Sequence, residues 1–195
     1  YKRQKFRRRE ESEGRVLWYT KDEVSKLSLL STDVFERYDL RDIILFAAYT
    51  GMRQGEILKI RKKDIDLVAN KIHVGGVPTQ TTKAKNWRAI PIHDKIMDVV
   101  VTRCSEVNRS DVRLFGDEWR DKDQLLRAFK KVNKLVPKDE NYVFHTLRHS
   151  YATWLAEAGV PIRSIMALCG HKRIETTLRY AKATDAALTD AMAAI

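Results

Sequence analysis

Arg53, the run His145-Thr146-Leu147-Arg148, His171 and Tyr180 follow one another in this chain, with Tyr180 nine residues after His171. Two arginines, two histidines and a tyrosine can carry out phosphoryl transfer on a phosphodiester without a metal ion. Guanidinium groups clamp phosphate oxygens through bidentate bonds. Histidines bond the phosphate or move protons, and a phenol can act as nucleophile. A phenol has a pKa of about 10, so it needs cations on the phosphate and a base for its proton. His145 and Arg148 stand three residues apart at an expected helix start, and share one face beside free N-terminal amides. Glu56, three residues after Arg53, lies on the same helical face and is expected to orient a catalytic cation, the alternative being a charge partner for the helix N-terminus. His149 is expected to pack or bond locally, outside the site.

The elements that must hold these groups are mostly helical. Thr20 with Glu23 forms a capping-box pattern, so folding proper is expected to begin there and the first helix to run to about Leu30. A second helix is expected over Val34–Thr50, with Leu40, Ile43, Ile44, Ala47 and Ala48 at helical spacing. Gly51 ends it, and a short helix follows Arg53. From Asp64 to Pro91 the pattern changes to short strands turned at Asn70 and Gly75-Gly76, with Thr79 to Asn86 as a mobile tip. Helices are expected again over Asp94–Cys104, Lys122–Leu135, Thr146–Ala158, Pro161–Leu168, Ile174–Ala181 and Asp185–Ala193. At helical spacing Leu147, Tyr151, Trp154, Leu155 and Ala158 form an apolar stripe. The fold class is mainly α with one small antiparallel β-sheet.

These segments resemble motifs of the tyrosine recombinase (phage integrase) family. Tyr49-Thr50-Gly51-Met52-Arg53-Gln54-Gly55-Glu56-Ile57-Leu58 looks like its first-arginine motif. His145 to Thr153 looks like its H-x-x-R motif, and Leu168-Cys169-Gly170-His171 with Thr176 to Tyr180 like its C-terminal motif. Lys83 to Pro91 is similar to the hairpin that carries the catalytic lysine, eight residues before a proline, which points to Lys83 with Lys85 as the competing position. The resemblance covers roughly residues 16 to 190. It implies a site-specific DNA recombinase that joins strands through a 3′-phosphotyrosine, with catalytic residues Arg53, Lys83, His145, Arg148, His171 and Tyr180. It implies no cofactor, metal or ATP, and a homotetramer on paired double-stranded DNA sites, with a monomer compatible in isolation. The alanine-rich segment Ala183 to Ile195 could dock on a neighbour or on its own domain.

Charge agrees with a polyanionic partner: 37 Lys and Arg against 26 Asp and Glu leave a net +11. Residues 1–15 cannot build a core and are expected to be a basic linker, with 16–195 the catalytic domain. Arg7, Arg8 and Arg9 of the linker, with Lys85 and Arg88 of the hairpin, are the expected DNA contacts. The chain opens at Tyr1 without an initiator methionine, and the upstream core-binding domain of the family is expected to be missing. Cys104 and Cys169 are too far apart for a C-x-x-C pair and suit reduced thiols in a cytoplasmic protein. No apolar run approaches the ~18 residues of a membrane span.

Three other readings compete. A metal-dependent nuclease needs clustered carboxylates, yet the D-x-D pairs, Asp64 with Asp66 and Asp121 with Asp123, read as turn or capping residues. A type IB topoisomerase uses a similar residue set. A helix-turn-helix DNA-binding module over Gly159 to Tyr180, with Ile162, Ile165, Leu168 and Leu178 as apolar positions, explains the charge but neither Arg53, Lys83 nor the His145–Arg148 pair.

Overall fold

A computed structural model describes residues 16–75, 87–116, 119, 122–180 and 192. The elements in order are α1 (Lys21–Asp33), α2 (Tyr38–Thr50), α3 (Gln54–Ile57), β1 (Ile65–Asp66), β2 (Lys71–Val74), β3 (Arg88–Pro91), α4 (Met97–Glu106), α5 (Lys122–Asn133), α6 (Thr146–Glu157), α7 (Ile162–Cys169) and α8 (Ile174–Leu178). The expected class, mainly helical with a small antiparallel sheet, is the one found.

The capping box forms as expected: Thr20 Oγ1 accepts from the Glu23 amide, and Glu23 Oε2 accepts from the Thr20 amide. α1 runs past Leu30 because the Val34 N–H still donates to the Leu30 carbonyl. Those residues are therefore unavailable to open α2 at Val34. Glu36 takes the left-handed conformation (φ 52°), the chain reverses, and α2 begins at Tyr38. Its apolar positions Leu40, Ile43, Ile44, Ala47 and Ala48 are all buried, as the spacing requires. Gly51 closes α2 at φ 59°, where a Cβ would meet the Tyr151 ring at 2.3 Å. Only glycine combines that conformation with that contact.

The sheet has order β1-β2-β3, all antiparallel, with Ile72 opposite Ile90 and Val74 opposite Arg88. Asn70 (φ 55°) and Gly75 (φ 90°) supply the left-handed residues at both expected turns. Strand alternation puts Ile72, Val74, Ile90 and Arg88 on one buried face. Residues 94–96 form a 3-10 turn before α4, where one continuous helix was expected. α7 starts one residue after Pro161, which caps it. α8 stops at Leu178, short of the expected Ala181. The expected helix Asp185–Ala193 lies outside the described residues, apart from Met192, which is helical and exposed.

One large core joins α1, α2, the sheet, α4, α5 and Leu147 of α6; a smaller one gathers Ala152, Ile165, Cys169 and Tyr180. α6 belongs to both, packing on α2 and α7. Ala158, expected in its apolar stripe, is exposed because the helix has already ended at Glu157. Order begins before the expected Thr20. Tyr19 is fully buried; its hydroxyl donates to Asn133 Oδ1 at 2.7 Å, its amide to Ser150 Oγ at 2.8 Å, and its carbonyl accepts from Trp154 Nε1 at 3.0 Å. One residue thus ties α5 to α6. Tyr19→Phe leaves the Asn133 oxygen without its donor and should lower stability by ~1–3 kcal/mol, read from the urea unfolding midpoint.

Candidate active site

α7 ends in a Schellman turn: the Gly170 N–H donates to the Ala167 carbonyl and the His171 N–H to the Met166 carbonyl. Gly170 sits at φ 65° to allow it. That leaves the carbonyls of Leu168, Cys169 and Gly170 at the negative end of the helix dipole, and an arginine from a different element takes each of them. Arg88 Nε of β3 donates to Leu168 O at 3.0 Å. Arg148 Nη2 of α6 donates to Cys169 O at 2.6 Å, and its Nη1 to Gly51 O at the end of α2, also 2.6 Å. Arg53 Nη2 donates to Gly170 O at 3.2 Å.

Glu56 ties two of these cations together. Its carboxylate accepts both Nη groups of Arg88 (3.0 and 2.7 Å), the Arg53 amide (2.8 Å) and Arg53 Nη1 (3.3 Å). Burial pushes the Glu56 carboxyl up, but hydrogen bonds from Arg88 and the Arg53 amide, with both guanidinium charges, hold it below the usual carboxylate range. Glu56, expected to orient a catalytic cation, is bonded to two guanidinium groups, those of Arg53 and Arg88. Arg88 was expected among the DNA contacts; its side chain is 9% exposed, paired with Glu56, and part of the wall of a cleft. The signal was present in β3, where period-two alternation puts Arg88 on the side of Ile90. Of the two arginines expected to be catalytic, Arg148 is 3% exposed while Arg53 remains open to solvent.

His171 follows the glycine. Its Nδ1 pairs with Thr177 Oγ1 at 2.8 Å, and its ring lies parallel to that of Tyr180 with centroids 6.2 Å apart. Tyr180 is 8% exposed, and its hydroxyl meets His149 Nδ1 at 2.5 Å. His145, exposed at the N-cap of α6, stands edge-on to the His149 ring at 4.9 Å. His149 was expected outside the site; it is a direct partner of Tyr180. Its place four residues after His145 on one helical face was the available sign.

Burial and the nearby cations set the protonation states. Burial, then Arg148, Arg53, Arg88 and His145, push His171 down to about 4. Burial, then His145, Arg179, Arg148 and His171, take His149 down to about 4 as well. Partial burial of its ring, then Arg148 and Arg53, lower His145. Burial raises the Tyr180 phenol, against the pull of Arg148 and Arg179. At neutral pH the histidines are therefore uncharged beside an un-ionised phenol.

Arg53, Glu56, Trp87, His171, Arg163 and Lys172 are among the residues lining a cleft of about 560 Å³ beside this cluster. Lys83, Lys85, Arg7, Arg8 and Arg9 lie outside the described residues. Asp64 and Asp66 do cap turns: Asp64 Oδ2 accepts the Arg61 amide, and Asp66 Oδ1 those of Val68 and Ala69. Among the described residues no three His, Cys, Asp or Glu side chains group as a metal site needs, and no helix is long and apolar enough to cross a membrane.

The phage integrase family's sequence model matches residues 18–187. The chain belongs to that family. A tyrosine recombinase XerA of Thermococcus kodakarensis is 32% identical over 171 residues, covering 85% of this chain and 57% of the relative. The catalytic domain of bacteriophage HP1 integrase matches with a TM-score of 0.67 at 23% identity, over 91% of this chain and 94% of that one. XerH site-specific recombinase bound to its difH substrate matches at 0.70 and 20% identity, over 92% and 55%. At such identities the structural likenesses speak for the fold. The chain spans 50–57% of the length of the first three curated relatives it matches. Within an integrase fold the helix-turn-helix reading loses its basis: α8 is five residues long and Leu178 is 49% exposed. The topoisomerase reading is likewise not favoured.

Both low histidines bind protons less readily in the folded chain than in the unfolded one, whose histidines titrate near 6.5. Between about 6.5 and 4 the unfolded state holds more protons, so stability is complete above that window and falls as pH drops through it. The urea midpoint should decline from pH 6.5 to 5, a range above most carboxylate titration. That decline should flatten when His149→Asn and His171→Gln are combined.

Proposed function

We propose that this chain is the catalytic domain of a site-specific DNA recombinase, which cleaves and rejoins double-stranded DNA through a 3′-phosphotyrosine without metal or ATP. The observation that carries the proposal is the end of α7: Arg53 and Arg148 bond its last carbonyls, and the next residue, His171, stacks on Tyr180. Two guanidinium groups and the proposed nucleophile thus belong to one cluster beside one cleft. Support also comes from family membership and from relatives solved with DNA, such as XerH on its difH substrate.

In this reading Arg53, Arg148, His145 and His171 hold the non-bridging oxygens of the scissile phosphate. Charge builds on those oxygens as Tyr180 attacks, and fixed cations in a partly buried cleft stabilise it without reorganising. Glu56 and Arg88 keep Arg53 in place. Lys83, from the tract between β2 and β3, protonates the departing 5′ oxygen as the family resemblance implies. The covalent phosphotyrosine conserves the bond energy, so a new 5′-hydroxyl can reverse the step. Arg7, Arg8, Arg9 and Lys85 contact the DNA backbone, and the reaction proceeds in the cytoplasm on a homotetramer spanning two sites.

Incubation without divalent metal, with nicked duplexes that lose the 5′-hydroxyl fragment, should give a covalent protein–DNA band on a denaturing gel. Tyr180→Phe should abolish that band and leave DNA affinity nearly unchanged. Relaxation of supercoiled DNA without paired sites would instead favour topoisomerase action. For assembly, deletion of the residues after Ala183 should impair synapsis more than cleavage; equal loss of both on a nicked substrate would sink the proposed docking role.

A further inference from the structure

We infer that His149 is a further catalytic residue, the base that receives the phenolic proton of Tyr180 as its oxygen attacks phosphorus. The inference rests on the reading of Tyr180 as nucleophile. It starts from geometry: His149 Nδ1 lies 2.5 Å from the Tyr180 hydroxyl, the contact through which a phenol passes its proton to an imidazole.

The other histidines are placed differently. His171 uses its Nδ1 on Thr177 and meets Tyr180 ring over ring. Among the described residues no hydrogen bond joins those two side chains. His145 reaches the phenol only through His149, against whose ring it stands edge-on. The His149–Tyr180 pair is also held rigidly. Tyr180 packs in the smaller core with Ala152, Ile165 and Cys169, and His149 is fixed on the second turn of α6.

A base must be neutral before it acts. The charged and titratable groups facing His149 are His145 and Arg148 on its own helix, Arg179 and Tyr180 after α8, and His171 after α7. Apart from the phenol, every one is a cation or a potential cation, and with burial they keep the imidazole unprotonated well below neutral pH. With Nδ1 unprotonated, the phenol O–H donates to it. An arriving phosphodiester adds negative charge beside the same arginines and so raises the proton affinity of His149.

The step balances. The P–O bond to Tyr180 forms, the bond from phosphorus to the 5′ oxygen breaks, and the phenolic proton moves to His149 Nδ1. The 5′ oxygen departs with a proton from Lys83 in the proposed reading. In religation the 5′-hydroxyl attacks, its proton returns to the lysine, and the His149 imidazolium gives its proton back to Tyr180.

Single-turnover covalent capture on the nicked duplex, run from pH 6 to pH 9, tests this with DNA affinity measured in parallel. His149→Asn puts an amide near the place of Nδ1, so it retains a hydrogen bond but cannot take the proton. Capture at neutral pH should slow by ~10²-fold, within the range of general-base contributions, while DNA affinity holds. The deficit should narrow as pH rises and hydroxide replaces the base. His149→Ala, a second test should Asn disturb the fold, should recover capture when imidazole is added. Capture by both variants within about threefold of wild type at every pH, far under a general-base contribution, with Tyr180→Phe inert, would overturn the role of His149. Absence of capture by wild-type protein would instead overturn the nucleophile reading, which separates the two failures.

Discussion

Three consecutive carbonyls at the end of α7 hold this site together. A helix leaves its last carbonyls without intrahelical partners and concentrates negative partial charge there. The Schellman turn at Gly170 satisfies Met166 and Ala167 and leaves Leu168, Cys169 and Gly170 to Arg88, Arg148 and Arg53. The arginines come from β3, from α6 and from the start of α3, so the sheet, the central helix and the α2–α3 turn all meet at one point. Gly170 is indispensable to that meeting. A Cβ there would sit 2.8 Å from Arg88 Nη1, in a conformation that other residues rarely adopt.

Bringing three guanidinium groups together is electrostatically costly, and Glu56 supplies only one opposite charge. Arg148 is nearly desolvated and rests on carbonyl dipoles from two helix ends, Gly51 and Cys169, with no carboxylate among the described residues bonded to it. Removing the Arg148 guanidinium would leave the Gly51 and Cys169 carbonyls without that donor, at a cost of about 1–3 kcal/mol each. Burial and, after it, the unbalanced positive charge act on the neighbours, pushing both His149 and His171 down to about 4. An anion in the cleft would relieve that imbalance. Burial and the same cations keep the histidines neutral.

The division of the core serves the chemistry. The large core fixes α2, the sheet and α5 and gives α6 a firm seat through Leu147. The smaller one, built on Ala152, Ile165 and Cys169, encloses the Tyr180 ring and leaves its hydroxyl to His149. A phenol so enclosed has few orientations open to it, which suits a reaction that depends on alignment with phosphorus.

The sequence by itself determined the local elements and the identity of the polar groups. Capping at Thr20, the apolar period of α2 and the turns at Asn70 and Gly75 are short-range physics, legible from residue types. The order of Arg53, His145, Arg148, His171 and Tyr180 was legible for the same reason, as motif spacing within single elements. What only the tertiary structure decided concerns partners from different elements. His149 meets Tyr180 across 31 positions, and Arg88 meets Glu56 across 32. Tyr19 reaches Asn133 and Ser150 across more than a hundred. No local pattern encodes such distances, because hydrogen-bond partners are chosen by the packing of α5, α6 and α7. A histidine read as local therefore meets Tyr180, and an arginine read as DNA-facing pairs with Glu56, once the chain closes on itself.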